Sequence, residues 1–174
     1  MRRVFPSREY EYPGLRKLAA QGLPETWLLN DNEIMRTEID FRLMETPHPL
    51  LHLEEPIRRA VQIGVIRTEF KSWDLKGIRD GVIYACTLDR GEVWSIDPVP
   101  GMDPVIAFSN SSTEVLEQCL ILRDRIRNAP SPADEYRVVR EQFFKLEPTL
   151  PSRPRRSPWN EYIGGCDVEY RYPD

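Results

Sequence analysis

The sequence predicts an α+β fold, an antiparallel meander flanked by helices. Three observations carry that prediction. Short runs rich in β-branched and aromatic residues cluster in the middle of the chain. The connections between them are too short for parallel crossovers. Helical periodicity appears on either side of them.

The first helix spans about Gly14 to Gln21, with Leu15, Leu18 and Ala19 as its apolar stripe. Gly22 supplies a left-handed cap and Pro24 prevents continuation. Residues 26–45 are ambiguous, although Ile39-Asp40-Phe41-Arg42-Leu43 alternates like a strand. Ala60 to Ile66, with Gly64 inside, reads as a buried strand. Gly81 to Leu88 reads as another, with Val82, Tyr84, Cys86 and Leu88 on one face and Ile83, Ala85 and Thr87 on the other. Asp89-Arg90-Gly91 is a three-residue hairpin loop with glycine where φ must be positive. Glu92 to Asp97 returns as its partner, and Val105 to Phe108 is the next strand.

A helix follows at once. Ser111-Ser112-Thr113-Glu114 has the form of a capping box, with Ser111 as the cap. Val115, Leu116, Cys119, Leu120, Leu122 and Ile126 make one stripe, and Ile121 falls outside it, suggesting an extra contact. Pro130 ends this helix, and a second runs from about Ala133 to Leu146, with Tyr136, Val139 and Phe143 on one stripe. Residues 1–146 are therefore expected to form one domain. Residues 147–174 read as a proline- and arginine-rich linker and a tyrosine-rich tail.

Composition bounds the function. The 174 residues are 40% hydrophobic and 30% charged, ordinary for a globular domain. A net charge of −4 argues against general nucleic-acid binding. No apolar run approaches the roughly 20 residues of a membrane helix. No apolar stretch follows the basic residues of Met1-Arg2-Arg3-Val4-Phe5-Pro6-Ser7-Arg8, so no secretory signal is visible. The expectation is a cytoplasmic protein without membrane contact. Cys86, Cys119 and Cys166 are widely spaced and lack a CxxC, which favours reduced thiols over a zinc cluster or disulfide framework.

Catalytic constellations are absent from the sequence. His48 and His52 sit four apart with Glu54 and Glu55 behind them, but Pro47 and Pro49 keep a regular helix from aligning the rings. There is no nucleophile elbow, phosphate loop or dinucleotide fingerprint. The expectation is no catalytic residue, no metal and no cofactor.

Charge is distributed unevenly. Residues 25–55 hold eight acids (Glu25, Asp31, Glu33, Glu38, Asp40, Glu45, Glu54 and Glu55) against Arg36 and Arg42, a local net of −6. This reads either as a solvated face or as a docking surface for a basic protein. Trp94 and Trp27 are expected in the core, whereas Trp73 could be a core anchor or an interface hot spot.

Two strings resemble a known family. One is Gly81 through Asp97, ending in Gly91-Glu92-Val93-Trp94-Ser95-Ile96-Asp97. The other is Phe108-Ser109-Asn110-Ser111-Ser112-Thr113-Glu114-Val115-Leu116, running into the helix. With Gly22-Leu23-Pro24 and Ile63-Gly64, they resemble the SUKH superfamily of immunity proteins over roughly residues 14–128. The chain differs in having Ser109 where an aliphatic residue is common, and in continuing through a second helix and a tail. The resemblance implies a SUKH-like sheet flanked by helices. It also implies a bacterial protein that neutralises a cognate toxin domain, often a nuclease or deaminase, without catalysis. The contact residues expected on this reading are Asp31, Glu33, Glu38, Asp40, Glu54, Glu55, Trp73 and Asp74. The alternatives are a regulatory or scaffolding module on the same fold, and a small enzyme.

Overall fold

The computed structural model describes residues 3–4, 12–42, 57–74, 76–148 and 159. Strand β1 (Arg3–Val4) pairs with β2 (Leu23–Pro24) in a small two-stranded sheet. Between them lies α1 (Pro13–Gln21). Six strands then form one antiparallel sheet in chain order: β3 (Thr26–Asp31), β4 (Met35–Phe41), β5 (Ala60–Phe70), β6 (Gly77–Thr87), β7 (Val93–Asp97) and β8 (Val105–Asn110). A 3-10 turn at Ile57–Arg59 leads into β5. Helices α2 (Thr113–Arg127) and α3 (Pro132–Leu146) follow. The α+β meander expected from the sequence is present, with six strands in its main sheet.

Alternation gives the sheet two apolar faces. Ile39, Phe41, Ile63, Tyr84, Cys86 and Val93 face the helices. They form one core with Leu15 and Leu18 of α1, Leu116, Cys119, Leu120 and Ile126 of α2, and Val139 and Phe143 of α3. On the opposite face Ile57, Ala60, Val65, Ile83, Ala85 and Ile96 form a second cluster. Half-buried Trp94 packs there edge-to-face on Phe108, ring centroids 5.5 Å apart.

Helix α1 starts against the β6–β7 turn, where Gly14 N donates to Leu88 O at 2.9 Å. It ends at Gly22, in the left-handed region with φ 66°, whose amide reaches Leu18 O at 2.7 Å. Arg3 locks this end to α2: its guanidinium donates to the Gln21 and Gly22 carbonyls and holds the Glu117 carboxylate with both terminal nitrogens. The β6–β7 turn needs Gly91, at φ 77°.

The start of α2 differs from the capping box by one residue. Ser112 is the N-cap, and its Oγ accepts from Val115 N at 3.2 Å. Ser111 does not cap because its amide is held by Glu147 Oε2 at 2.7 Å. Glu147 follows α3 and is 2% exposed. Beside it Asn110 is fully buried. Its Nδ2 donates to Cys119 Sγ at 3.3 Å, and its Oδ1 accepts from Ser109 Oγ at 2.7 Å and Trp159 Nε1 at 3.1 Å. Trp159 is itself buried, tilted against Phe143. A core contact therefore comes from beyond residue 146, inside the segment the sequence suggested was linker and tail. Apart from Glu147, Pro148 and Trp159, that segment, with Cys166, lies outside the described residues.

One carbonyl on the lateral edge of the sheet at β3 is occupied. Arg123 Nη2 donates to Leu29 O at 2.6 Å and Arg127 donates to the same oxygen. Trp27, half-buried rather than fully in the core, donates from Nε1 to Asp124 Oδ2 at 2.9 Å. Among the described residues, no helix is long and apolar enough to cross a membrane.

Candidate partner-binding surface

The β3–β4 and β5–β6 turns lie side by side at one end of the sheet. Lys71 N donates to Ile34 O at 2.8 Å, and the Lys71 ammonium bridges the Asp31 carboxylate and Asn32 O. Asn32 Oδ1 closes the first turn by accepting from the Ile34 and Met35 amides. Ser72 donates to the Asp74 carboxylate in the second. Phe70 carries the Arg79 guanidinium over its ring at 5.3 Å.

Large apolar side chains project from this end. Trp73 is 88% exposed, Ile78 65% and Ile34 59%. Of the residues expected from the sequence to bind a partner, Asp31, Glu33, Trp73 and Asp74 meet here. Trp73 thus resolves as exposed, its core alternative excluded. Glu38 and Asp40 sit further along β4, half-buried on the sheet face away from the helices. Glu54 and Glu55 lie outside the described residues, as do His48 and His52.

The acidic patch is weaker in the fold than along the chain. Asp31 pairs with Lys71, whose hydrogen bond holds that carboxyl below its usual range. Glu38 takes Arg36 at 3.1 Å. Asp40 takes Arg42, and also Arg67 at 2.9 Å; Arg67 reaches on to Asp80 at 3.1 Å. Arg67 comes from β5 and Lys71 from the turn that follows it, so they escape any count over residues 25–55. Glu33 and Asp74 have no cationic partner among the described residues. The Asp74 carboxyl is held below its usual range by the Ser72 hydroxyl. Sequence reasoning missed Ile34 and Ile78. Each stands in a largely polar stretch, and only strand pairing brings them to the same end of the sheet.

Elsewhere the described polar groups are arranged for packing. Gly91 turns, Trp94 packs, and Asn110 and Ser111 hold the β8–α2 junction. Cys86 and Cys119 are free and buried, and burial pushes both thiols up to about 12. Neither is a thiolate at neutral pH. Iodoacetamide applied to the folded chain is expected to leave both unmodified, as read by peptide mass mapping. A folded-state value above the ordinary 9.0 means the neutral thiols contribute stability that is complete below about pH 9. That contribution is lost as pH rises toward 12, so urea midpoints are expected to fall through this window. No group of three or more His, Cys, Asp or Glu among the described residues is placed to hold a metal ion.

Scans against protein-family models, curated proteins and solved structures match nothing to this chain.

Proposed function

We propose that this chain is a non-enzymatic immunity protein of the cytoplasm. It binds a cognate bacterial toxin domain, a nuclease or deaminase, and covers its active face. The resemblance of the Gly91–Asp97 and Phe108–Leu116 strings to SUKH proteins supports the choice of partner. The observation that carries the binding surface is the 88% exposure of Trp73, at the end of the sheet that also exposes Ile34 and Ile78. An aromatic anchor within a polar rim is the usual make-up of an interface hot spot.

On this reading the partner offers an apolar recess for the indole. Basic groups around the recess meet Glu33 and Asp74, which have no cationic partner among the described residues. Because the neighbouring carboxylates are already neutralised, affinity rests on the anchor more than on long-range attraction, and added salt slows association only modestly.

The test is affinity capture from the native host with the tagged wild-type chain and with Trp73→Ala. Trp73→Ala is expected to leave stability within about 0.5 kcal/mol, because the side chain is solvated. It is also expected to cost more than tenfold in affinity for the captured toxin domain. Co-expression with the toxin should rescue growth for wild type and fail for the variant. A stoichiometric partner with no toxin activity would replace this reading with the regulatory one. A toxin domain retained undiminished by Trp73→Ala would remove the hairpin end from the interface.

A further inference from the structure

Helices α2 and α3 are joined by a short connection and pack side by side, with Arg125 Nε on Glu135 Oε2 at 2.8 Å at one end of the seam. Toward the other end the solvent side of the seam opens into a groove of about 380 Å³, lined by Gln118, Ile121, Leu122, Gln142, Lys145 and Leu146. Ile121 is 53% exposed, and Val138 beside the groove is 40% exposed. Ile121 is the residue that falls outside the apolar stripe of α2. The sequence suggested an extra contact here with the next helix, and Ile121 does share the groove lining with Gln142, Lys145 and Leu146 of α3 while staying half-exposed.

The polar side chains of the groove are Gln118, Gln142 and Lys145. None of the three forms a hydrogen bond or ion pair with the described residues. Lys145 is the sole charge lining the groove among the described residues. Among the described residues, the site therefore combines aliphatic walls, two amides with donors and acceptors unused, and an ammonium without an anion.

The geometry points to a docking site for an amphipathic helix of a protein partner. That helix carries aliphatic residues at i, i+3 or i+4 and i+7, flanked by carboxylates that meet Lys145. The seam between two packed helices is a channel parallel to both, and the apolar stripe of a third helix fills it ridge into groove. The charge follows from Lys145: a cationic flank would leave the ammonium facing a like charge, whereas a carboxylate pairs with it. This surface is separate from the hairpin end and does not depend on the function proposed for that end.

The test uses the full chain and synthetic probes. One helical peptide presents leucines at i, i+4 and i+7 flanked by glutamates; its counterpart has lysines in place of the glutamates. Each is titrated into the isotope-labelled protein. The glutamate peptide is expected to shift amides of 118–122 and 138–146, and to bind about tenfold more tightly than the lysine peptide at low salt. Lys145→Glu should reverse that preference. Ile121→Gln changes a half-exposed residue, so it should melt as wild type does while weakening both peptides about tenfold. Trp73→Ala should change neither titration. Shifts outside the two helices, equal binding of both peptides, or a preference that survives Lys145→Glu would each overturn the proposal. So would self-association of the unliganded chain that Ile121→Gln abolishes, which would make a second copy the occupant.

Discussion

Gly14→Ala is expected to destabilise the protein by about 3 kcal/mol, since overpacking against atoms that cannot rotate away lies at the costly end of its range. A Cβ at position 14 would stand 2.3 Å from Thr87 O and 2.7 Å from Gly91 N, both backbone atoms of the β6–β7 turn. Relief requires α1 to lift off the turn. That would break the hydrogen bond from Gly14 N to Leu88 O and pull Leu15 and Leu18 from the core. Urea titration reads the loss directly, and Tm should fall by roughly 10 °C for a domain of this size. Two further glycines calibrate the result. At Gly64 a Cβ would meet Phe41 Cδ1 at 2.9 Å, and the Phe41 ring is itself buried. At Gly101, φ 75°, a Cβ would meet nothing within 4 Å, so alanine there should cost only the backbone term of about 1 kcal/mol. A Gly14→Ala loss no larger than that of Gly101→Ala would show that α1 is not seated on the turn.

Trp159→Ala is expected to cost about 4 kcal/mol, the range of large aromatic deletions from a core. The side chain fills space against Phe143, 5.6 Å between centroids, and donates to Asn110 Oδ1. Its removal would also loosen the buried groups that join β8 to α2 and α3. Trp159→Phe separates the two contributions. It keeps most of the packing and deletes the hydrogen bond, and because Asn110 Oδ1 still accepts from Ser109 Oγ, about 1 kcal/mol should be lost. Guanidinium unfolding followed by circular dichroism checks both variants. A Trp159→Ala loss under 1 kcal/mol would place the ring outside the cooperative unit.

These experiments probe contacts of different legibility. Strand positions with strict alternation and a buried neighbour were readable, as at Tyr84 and Cys86 against Ile83 and Ala85. The cap at Gly22 and the turn at Gly91 were readable because only glycine suits their φ. The outer halves of β5 and β6 were not. Arg67, Glu69, Arg79 and Asp80 give a polar pattern that resembles a loop, and what makes it sheet is pairing, with Arg67 opposite Asp80 and Thr68 opposite Arg79. The shift of the helix cap from Ser111 to Ser112 depends on Glu147, 36 residues away. The hairpin end was half legible: its acids stood out along the chain, while Arg67 of β5 and Lys71 just after it, which quench Asp40 and Asp31, are distant in sequence. Trp159 offered no pattern at all, because its partners are set by where α3 ends.

Leu29 O, with Arg123 and Arg127 both donating to it, has a consequence for how the molecule behaves in a crowded cell. An open sheet can seed its own growth wherever a lateral strand offers a free carbonyl to a passing chain. Here an incoming backbone amide must displace guanidinium donors, a charged hydrogen bond exchanged for a neutral one. At Leu29 the β3 edge thus resists self-templating, and a strand added there would have to displace two charged donors.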